Sequence, residues 1–203
     1  LESNINKTKQ INIKNIVKNN LIENQSISDN FNYKDFGLIT LHRPSNVDEI
    51  KVLSPIIKLF LENIANDLHL IWSIHPRTHK QLIKFDLLDE ILNNDKVILM
   101  YPIDYIKMLK LNIESKIMFT DSGGLQEECT VIGTPCITLR YNTERPITLI
   151  ENGGLSLLVG NQAQNISKAF SKMINANHKS NRPDLWDGNT ASRCLDAILN
   201  YKD

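Results

Sequence analysis

Phe119–Pro135 reads FTDSGGLQEECTVIGTP, and the order of its three parts decides the fold. An apolar strand ending at Phe119-Thr120 runs into Asp121-Ser122-Gly123-Gly124 and then straight into a short helix. A strand handed to a helix across a Gly-rich turn is half of a βα unit, the unit from which parallel sheets are assembled. The two glycines let the backbone approach an anion closely, and Ser122 adds a hydroxyl. The helix start aims free N–H groups and a partial positive charge at the same point. Gly133 and Pro135 fit the far end of the helix, glycine at its C-cap and proline just beyond. Ser122, Gly123 and Gly124 are therefore candidates to cradle a phosphate, although a tight turn with a capping serine would read the same. Glu128, six residues past Ser122, would stand on the order of 9 Å along the helix axis. There it either accepts hydrogen bonds from a nucleoside ribose or is a solvated helix charge.

Outward from this stretch, short apolar runs alternate with segments of helical period from Phe36 onward. The runs Gly37–Leu41, Leu68–Ile74, Val97–Met100, Ile117–Thr120, Cys136–Leu139 and Ser156–Val159 carry little polar alternation, as expected of strands covered on both faces. Between the first two, Leu53, Ile56, Ile57, Phe60, Leu61 and Ile64 share one helix face that should lie on the sheet. Similar stripes run through Leu82–Leu92, Tyr105–Leu111, Ile166–Ile174 and Ala191–Leu199. The fold class is α/β, a Rossmann-like doubly wound parallel sheet. Residues 36–203 form the domain, and residues 1–35 form a lead-in helix, around Ile11–Ile22, with a polar linker. The sequence starts at Leu1 without a Met and reads as part of a longer protein.

The chain has 203 residues, enough for one core, and its 23 basic and 23 acidic residues leave no net field to steer it onto nucleic acid or an anionic membrane. An anionic ligand must be held locally. Three cysteines, Cys129, Cys136 and Cys194, have neither the even count of a disulfide framework nor the spacing of a zinc site. They fit a reducing cytoplasm. No run approaches the roughly 20 apolar residues of a bilayer span.

Three further segments unload polar residues at strand ends. LITLHRPSNVD puts His42 and Arg43 after the first strand, where they would neutralise a diphosphate or serve as hydrogen-bonded loop residues. IHPRTHK places His75 and Arg77 after the second, with a stronger structural reading, and Pro44 and Pro76 shape turns. LRYNTERPITLIENGG delivers Arg140, Thr143, Glu144 and Arg145. Arg145 either binds a sugar phosphate or pairs with Glu144 across the loop. What singles these residues out is convergence, since four adjacent strands would present them at one rim.

These blocks resemble the non-hydrolysing UDP-N-acetylglucosamine 2-epimerases. TLHRPSNVD at Thr40–Asp48, HPRT at His75–Thr78, DSGGLQEE at Asp121–Glu128, TERP at Thr143–Pro146 and WDGNTASR at Trp186–Arg193 occur in that family's order and spacing. The resemblance runs from about Phe36 to the end. It implies the second domain of a two-domain enzyme of GT-B type, with the N-terminal domain outside this sequence. His42 would act on the nucleotide-sugar, Ser122, Gly123 and Gly124 would hold the diphosphate, Glu128 the ribose, and Arg145 the diphosphate or sugar side. Ile103 and Met108 would line the uracil pocket, and Arg43, Asp121 and Glu144 would stand close by. The implied partners are UDP-N-acetylglucosamine or UDP, with no metal and no nicotinamide, in a cytoplasmic homodimer. The implied reaction eliminates UDP across C1–C2 and adds it back after reprotonation at C2, using carboxylates of the other domain. Two departures stand out. Ile147 replaces a glutamate common after TERP, and Cys129 replaces a residue that is often small. A GT-B glycosyltransferase, a hydrolysing or diacetamido-uronate epimerase, and a silent nucleotide-binding module are the competing readings.

Overall fold

The computed structural model describes residues 1–176 and 182–201; the expected domain end at 203 lies outside them. Six strands form one sheet: β1 (Phe36–Thr40), β2 (His69–Ser73), β3 (Val97–Met100), β4 (Ile117–Thr120), β5 (Cys136–Thr138) and β6 (Ser156–Leu158). All pairings are parallel, in the order β3-β2-β1-β4-β5-β6. The chain winds outward from β1 to β3, returns to start again at β4, and winds the other way. Between β1 and β4 the crossovers leave in opposite directions, which opens a crevice at the carboxyl ends of those two strands. The six expected strands are all present, with ends shifted by at most one residue.

Burial on both faces explains why the strands read as unbroken apolar runs. Alternate residues enter two separate clusters. Ile39, Leu70, Trp72, Leu99, Ile117, Phe119 and Ile137 belong to the larger, and Phe36, Leu38, Ile71, Ile98, Met118 and Cys136 to the smaller. Phe60 stands edge-on to both Trp72 and Phe119, with ring centroids 6.0 and 5.2 Å away.

The helices, in chain order, are α1 (Glu2–Thr8), α2 (Ile13–Asn20), α3 (Pro44–Val47), α4 (Ile50–Leu59), α5 (Ala65–Asp67), α6 (Pro76–Lys84), α7 (Leu88–Leu92), α8 (Tyr105–Glu114), α9 (Gly123–Ile132), α10 (Ala163–Met173) and α11 (Thr190–Leu199). The apolar face over Leu53–Ile64 is there, and a π-helical turn at Phe60–Ile64 joins α4 to α5. The single helix expected over Leu82–Leu92 is instead two. Asp86 takes a left-handed conformation, φ 55°, while the amides of Leu87 and Asp86 donate to the carbonyls of Leu82 and Ile83. That is the hydrogen-bond pattern of a Schellman stop. The apolar stripe survives the break because Leu82, Leu87 and Ile91 all remain buried.

α11 also departs from expectation. Its stripe is helical, yet Leu195, Ile198 and Leu199 are exposed and none of its residues is buried.

The lead-in is more ordered than a helix and linker. α1 packs on α8, and α2 buries Ile16 and Val17. The chain then covers the edge of β3: the Ile22 amide donates to the Leu99 carbonyl, and the Tyr101 amide to that of Asn20. Gln25 completes the edge with its side chain. Its Nε2 donates to the Val97 carbonyl and its Oε1 accepts from the Leu99 amide, both at 2.7 Å. One amide side chain thus replaces one residue of a neighbouring strand. We expect Gln25→Ala to strand both backbone groups and lower stability by about 1–3 kcal/mol. Urea unfolding measures this, and an unchanged midpoint would refute it.

Candidate functional site

The crevice between β1 and β4 is organised around one carboxylate. Asp121 is fully buried at the end of β4, where its charge is tolerable only if every acceptor position is used. Its Oδ2 accepts from the amides of Arg43 (2.8 Å) and His42 (3.0 Å) and from Asn46 Nδ2 (2.9 Å). Its Oδ1 lies 2.8 Å from His42 Nδ1. Burial would raise the Asp121 carboxyl, but the His42 side chain and the Arg43 and His42 amides hold it below its ordinary value. Asn46 also donates to the Leu139 carbonyl, and Arg43 Nε to that of Asp121. With Nδ1 committed to Asp121, His42 keeps Nε2 as the atom free to meet a ligand. Asp121, expected beside the ligand, is thus turned inward and fixes the residue that faces outward.

His42, Ser122, Ile103 and Met108 line one cleft of about 210 Å³, together with His75, Pro102 and Leu125. The sequence-derived candidates from β1, β3 and β4 therefore meet. The His75 ring lies 5.4 Å from that of His42, centroid to centroid. Burial, followed by the neighbouring His42, lowers the His75 pKa from the ordinary histidine value. His75 caps α6 by accepting from the Arg77 amide, and Arg77 makes a bidentate pair with Asp48 at 2.9 and 2.5 Å. Arg77 is thus paired within the fold through Asp48. Pro44 and Pro76 each occupy the first turn of a helix, α3 and α6.

Ser122 occupies the N-cap of α9 but makes no capping hydrogen bond, so its hydroxyl is not spent on the helix. The first amides of α9, those of Gly123 and Gly124, have no carbonyl one turn back to pair with. Gly133 ends the helix in the left-handed conformation, φ 92°. Glu128 lies elsewhere than in the cleft. With Gly124 and Glu127 it lines a neighbouring hollow of about 380 Å³ that also includes Val131, Trp186 and Thr190. Its Oε2 is buried without a hydrogen-bond partner. Burial raises its pKa from the ordinary value, against the opposing pull of the nearby Tyr105 hydroxyl.

Arg145 lies in neither cavity. Its guanidinium rests over Gly123, where an added Cβ would come within 2.9 Å of Nη1. It is paired with Glu144 at 2.6 Å and with Glu127 at 2.8 Å. The sequence left open whether Arg145 pairs with Glu144, and the structure has that pair. Glu144 also accepts from Arg140 at 2.6 Å; chiefly through that bond its carboxyl is held at about 2. Ile147 is exposed in a 3₁₀ turn, and Cys129 is buried.

Asn46, Tyr105 and Trp186 were not singled out from the sequence. Asn46 is a polar residue inside the HRPSN run, and nothing local marks it as the buried partner of an aspartate 75 positions away.

The sequence profile of the UDP-N-acetylglucosamine 2-epimerase family matches residues 3–199. Among curated proteins, the UDP-N-acetylglucosamine 2-epimerases of Methanococcus maripaludis and Methanocaldococcus jannaschii are 37% and 39% identical, each over 82% of this chain and 45% of their own length. The chain thus spans about half the length of these relatives. The M. jannaschii enzyme, solved in complex with UDP-GlcNAc and UDP, superposes with a TM-score of 0.80 at 33% identity, over 97% of this chain and 51% of that one.

Asp121 has a depressed carboxyl, so the stability it contributes is complete above its unfolded value of roughly 3.9. That stability is lost as pH falls through the folded-state value. We expect D121N to be less stable at neutral pH by about 1–3 kcal/mol and to lack this part of the wild-type acid-side loss. Thermal melts across pH 3–7 check this, and parallel curves would count against it.

Proposed function

This chain belongs to the UDP-N-acetylglucosamine 2-epimerase family, and from that membership we propose that it supplies the UDP-binding half of an enzyme interconverting UDP-N-acetylglucosamine and UDP-N-acetylmannosamine. The observation that carries this reading is the meeting of His42, Ser122, Ile103 and Met108 in one cleft at the switch point of the sheet. A charged and hydroxylic end suits a diphosphate, and an apolar end suits a base.

In this reading the diphosphate lies against the Ser122 hydroxyl and the amides of Gly123 and Gly124, where the partial charge of α9 favours an anion. Ile103 and Met108 flank the uracil. Glu128 accepts from the ribose hydroxyls, which would satisfy its unpartnered oxygen. Arg145 stands above the same turn, with Arg43 and Glu144 close by. The reaction removes the C2 proton and expels UDP from C1. UDP then adds back after C2 is reprotonated on the opposite face. Negative charge grows on UDP as the C1–O bond breaks, so donors fixed in advance lower that barrier. His42, oriented by Asp121, presents Nε2 to the diphosphate and, when protonated, can donate to the departing oxygen. The carboxylates that move the C2 proton lie in the other half of the protein. The same reading places a homodimer in the cytoplasm, acting on a soluble nucleotide sugar. Among the described residues, no helix is long and apolar enough to cross a membrane.

Calorimetric titration tests the binding assignment. UDP should bind more tightly than free N-acetylglucosamine, and Glu128→Ala should weaken UDP by about 1–3 kcal/mol. Equal affinity for the free sugar would remove the phosphate from the Ser122 turn. In a protein carrying both halves, we expect His42→Asn to lower turnover by roughly 10²-fold or more, with substrate affinity little changed and, because the asparagine amide can still donate to Asp121 in place of Nδ1, a melting temperature near wild type. Turnover per folded molecule equal to wild type would take His42 out of the chemistry.

A further inference from the structure

The ion pairs of Arg145 have a consequence for which phosphates the site accepts. Arg145 is the cation poised over the Gly123 turn: its Nη1, the nitrogen nearest Gly123, pairs with Glu144, while its Nε lies 2.8 Å from Glu127 but makes no hydrogen bond. The two carboxylates are not equivalent. Glu144 is anchored from beneath: its second oxygen accepts from Arg140, whose side chain is only 7% exposed. Withdrawing Glu144 would leave a buried guanidinium without its counter-charge, a costly state. Both carboxylates are partly solvated, Glu127 at 40% and Glu144 at 54% exposed, but Glu127 lacks the second hold that Arg140 gives Glu144, so its pair with Arg145 is the weaker kind. Arg140 and Arg145 thus share Glu144, and Glu127 is the second carboxylate on Arg145, the one not also held by Arg140.

We propose that Glu127 is the residue that sets phosphate selectivity at this site, a built-in carboxylate that a nucleoside diphosphate displaces from Arg145 and a monophosphate does not. The proposal rests on the reading of the Ser122 turn as the phosphate cradle. A phosphate oxygen edge offers a guanidinium the same bidentate geometry as a carboxylate edge, with more charge. A ligand with one phosphate uses the amides of Gly123 and Gly124 and leaves the Arg145–Glu127 pair intact. A ligand with two places its second phosphate where Arg145 already sits. Gly123 has no side chain, so the guanidinium can come this close to the backbone; a Cβ there would stand 2.9 Å from Nη1 and 3.3 Å from Cζ.

The test is calorimetric titration of UDP and of UMP into the wild-type chain, E127Q, R145Q and the double variant. E127Q should tighten UDP by about two- to fivefold, the worth of one exposed ion pair, and leave UMP unchanged. In the R145Q background the E127Q gain should vanish, since the competition acts only through Arg145. Weaker UDP binding in E127Q would mean that Glu127 holds Arg145 ready for the ligand, and would overturn the proposal. Equal tightening of UDP and UMP would reduce it to a general field effect, and no change in either would also overturn it. If Glu128→Ala weakens UDP while E127Q has no effect, the proposal alone fails. If UDP does not bind, or Glu128→Ala leaves it untouched, the phosphate site itself fails and the proposal with it.

Discussion

The rim of this domain depends on the burial of one negative charge. Asp121 carries it at the end of β4, with no exposed surface, so the surroundings must supply donors in place of water. Two of those donors are consecutive amides, His42 and Arg43, and a third is Asn46, all just beyond β1. The loop after one strand is thereby stitched to the end of the strand beside it, at the one place where the crossovers diverge. Asn46 extends the stitch to β5 through the Leu139 carbonyl. His42 has its position because the aspartate must be satisfied, and that requirement also decides which of its nitrogens is free.

Charge elsewhere on the rim is arranged locally. The chain has no net charge, and three arginines of the rim are countered by carboxylates: Arg77 by Asp48, Arg140 by Glu144, and Arg145 by Glu144 and Glu127, whereas Arg43 donates to the Asp121 carbonyl. The N-terminal end of α9 is also uncompensated, with a serine hydroxyl not used for capping and amides that have no carbonyl to pair with. An anion is attracted there by fixed dipoles, which cost no rearrangement. The guanidinium groups of Arg77, Arg140 and Arg145, in contrast, become available only by exchange of partners.

The edges of the sheet show how much of the chain serves this arrangement. β3 is covered by the segment from Asn20 to Gln25, which keeps the strand from presenting free backbone groups. α11 is different: its apolar residues Leu195, Ile198 and Leu199 are exposed. The chain spans about half the length of its curated relatives.

Periodicity and chemistry along the chain were enough to locate all six strands, the Gly-rich turn, the helix that follows it and the convergence of His42 with Ser122. These are local signals, carried by apolar runs, by glycines where a turn demands them and by polar residues placed just past strand ends. The break between α6 and α7 was not legible, because the apolar stripe runs on across it and Asp86 adopts a left-handed conformation more typical of glycine or asparagine. Nor was the docking of the polar lead-in, whose key residue, Gln25, acts through its side chain on a strand 72 positions away. The sequence could nominate Asp121, Glu128 and Arg145 but not their roles. Only the fold decides that Asp121 turns inward, that Glu128 faces a separate hollow, and that Arg145 is shared by two glutamates, because burial and partner choice depend on which distant segments the sheet brings together.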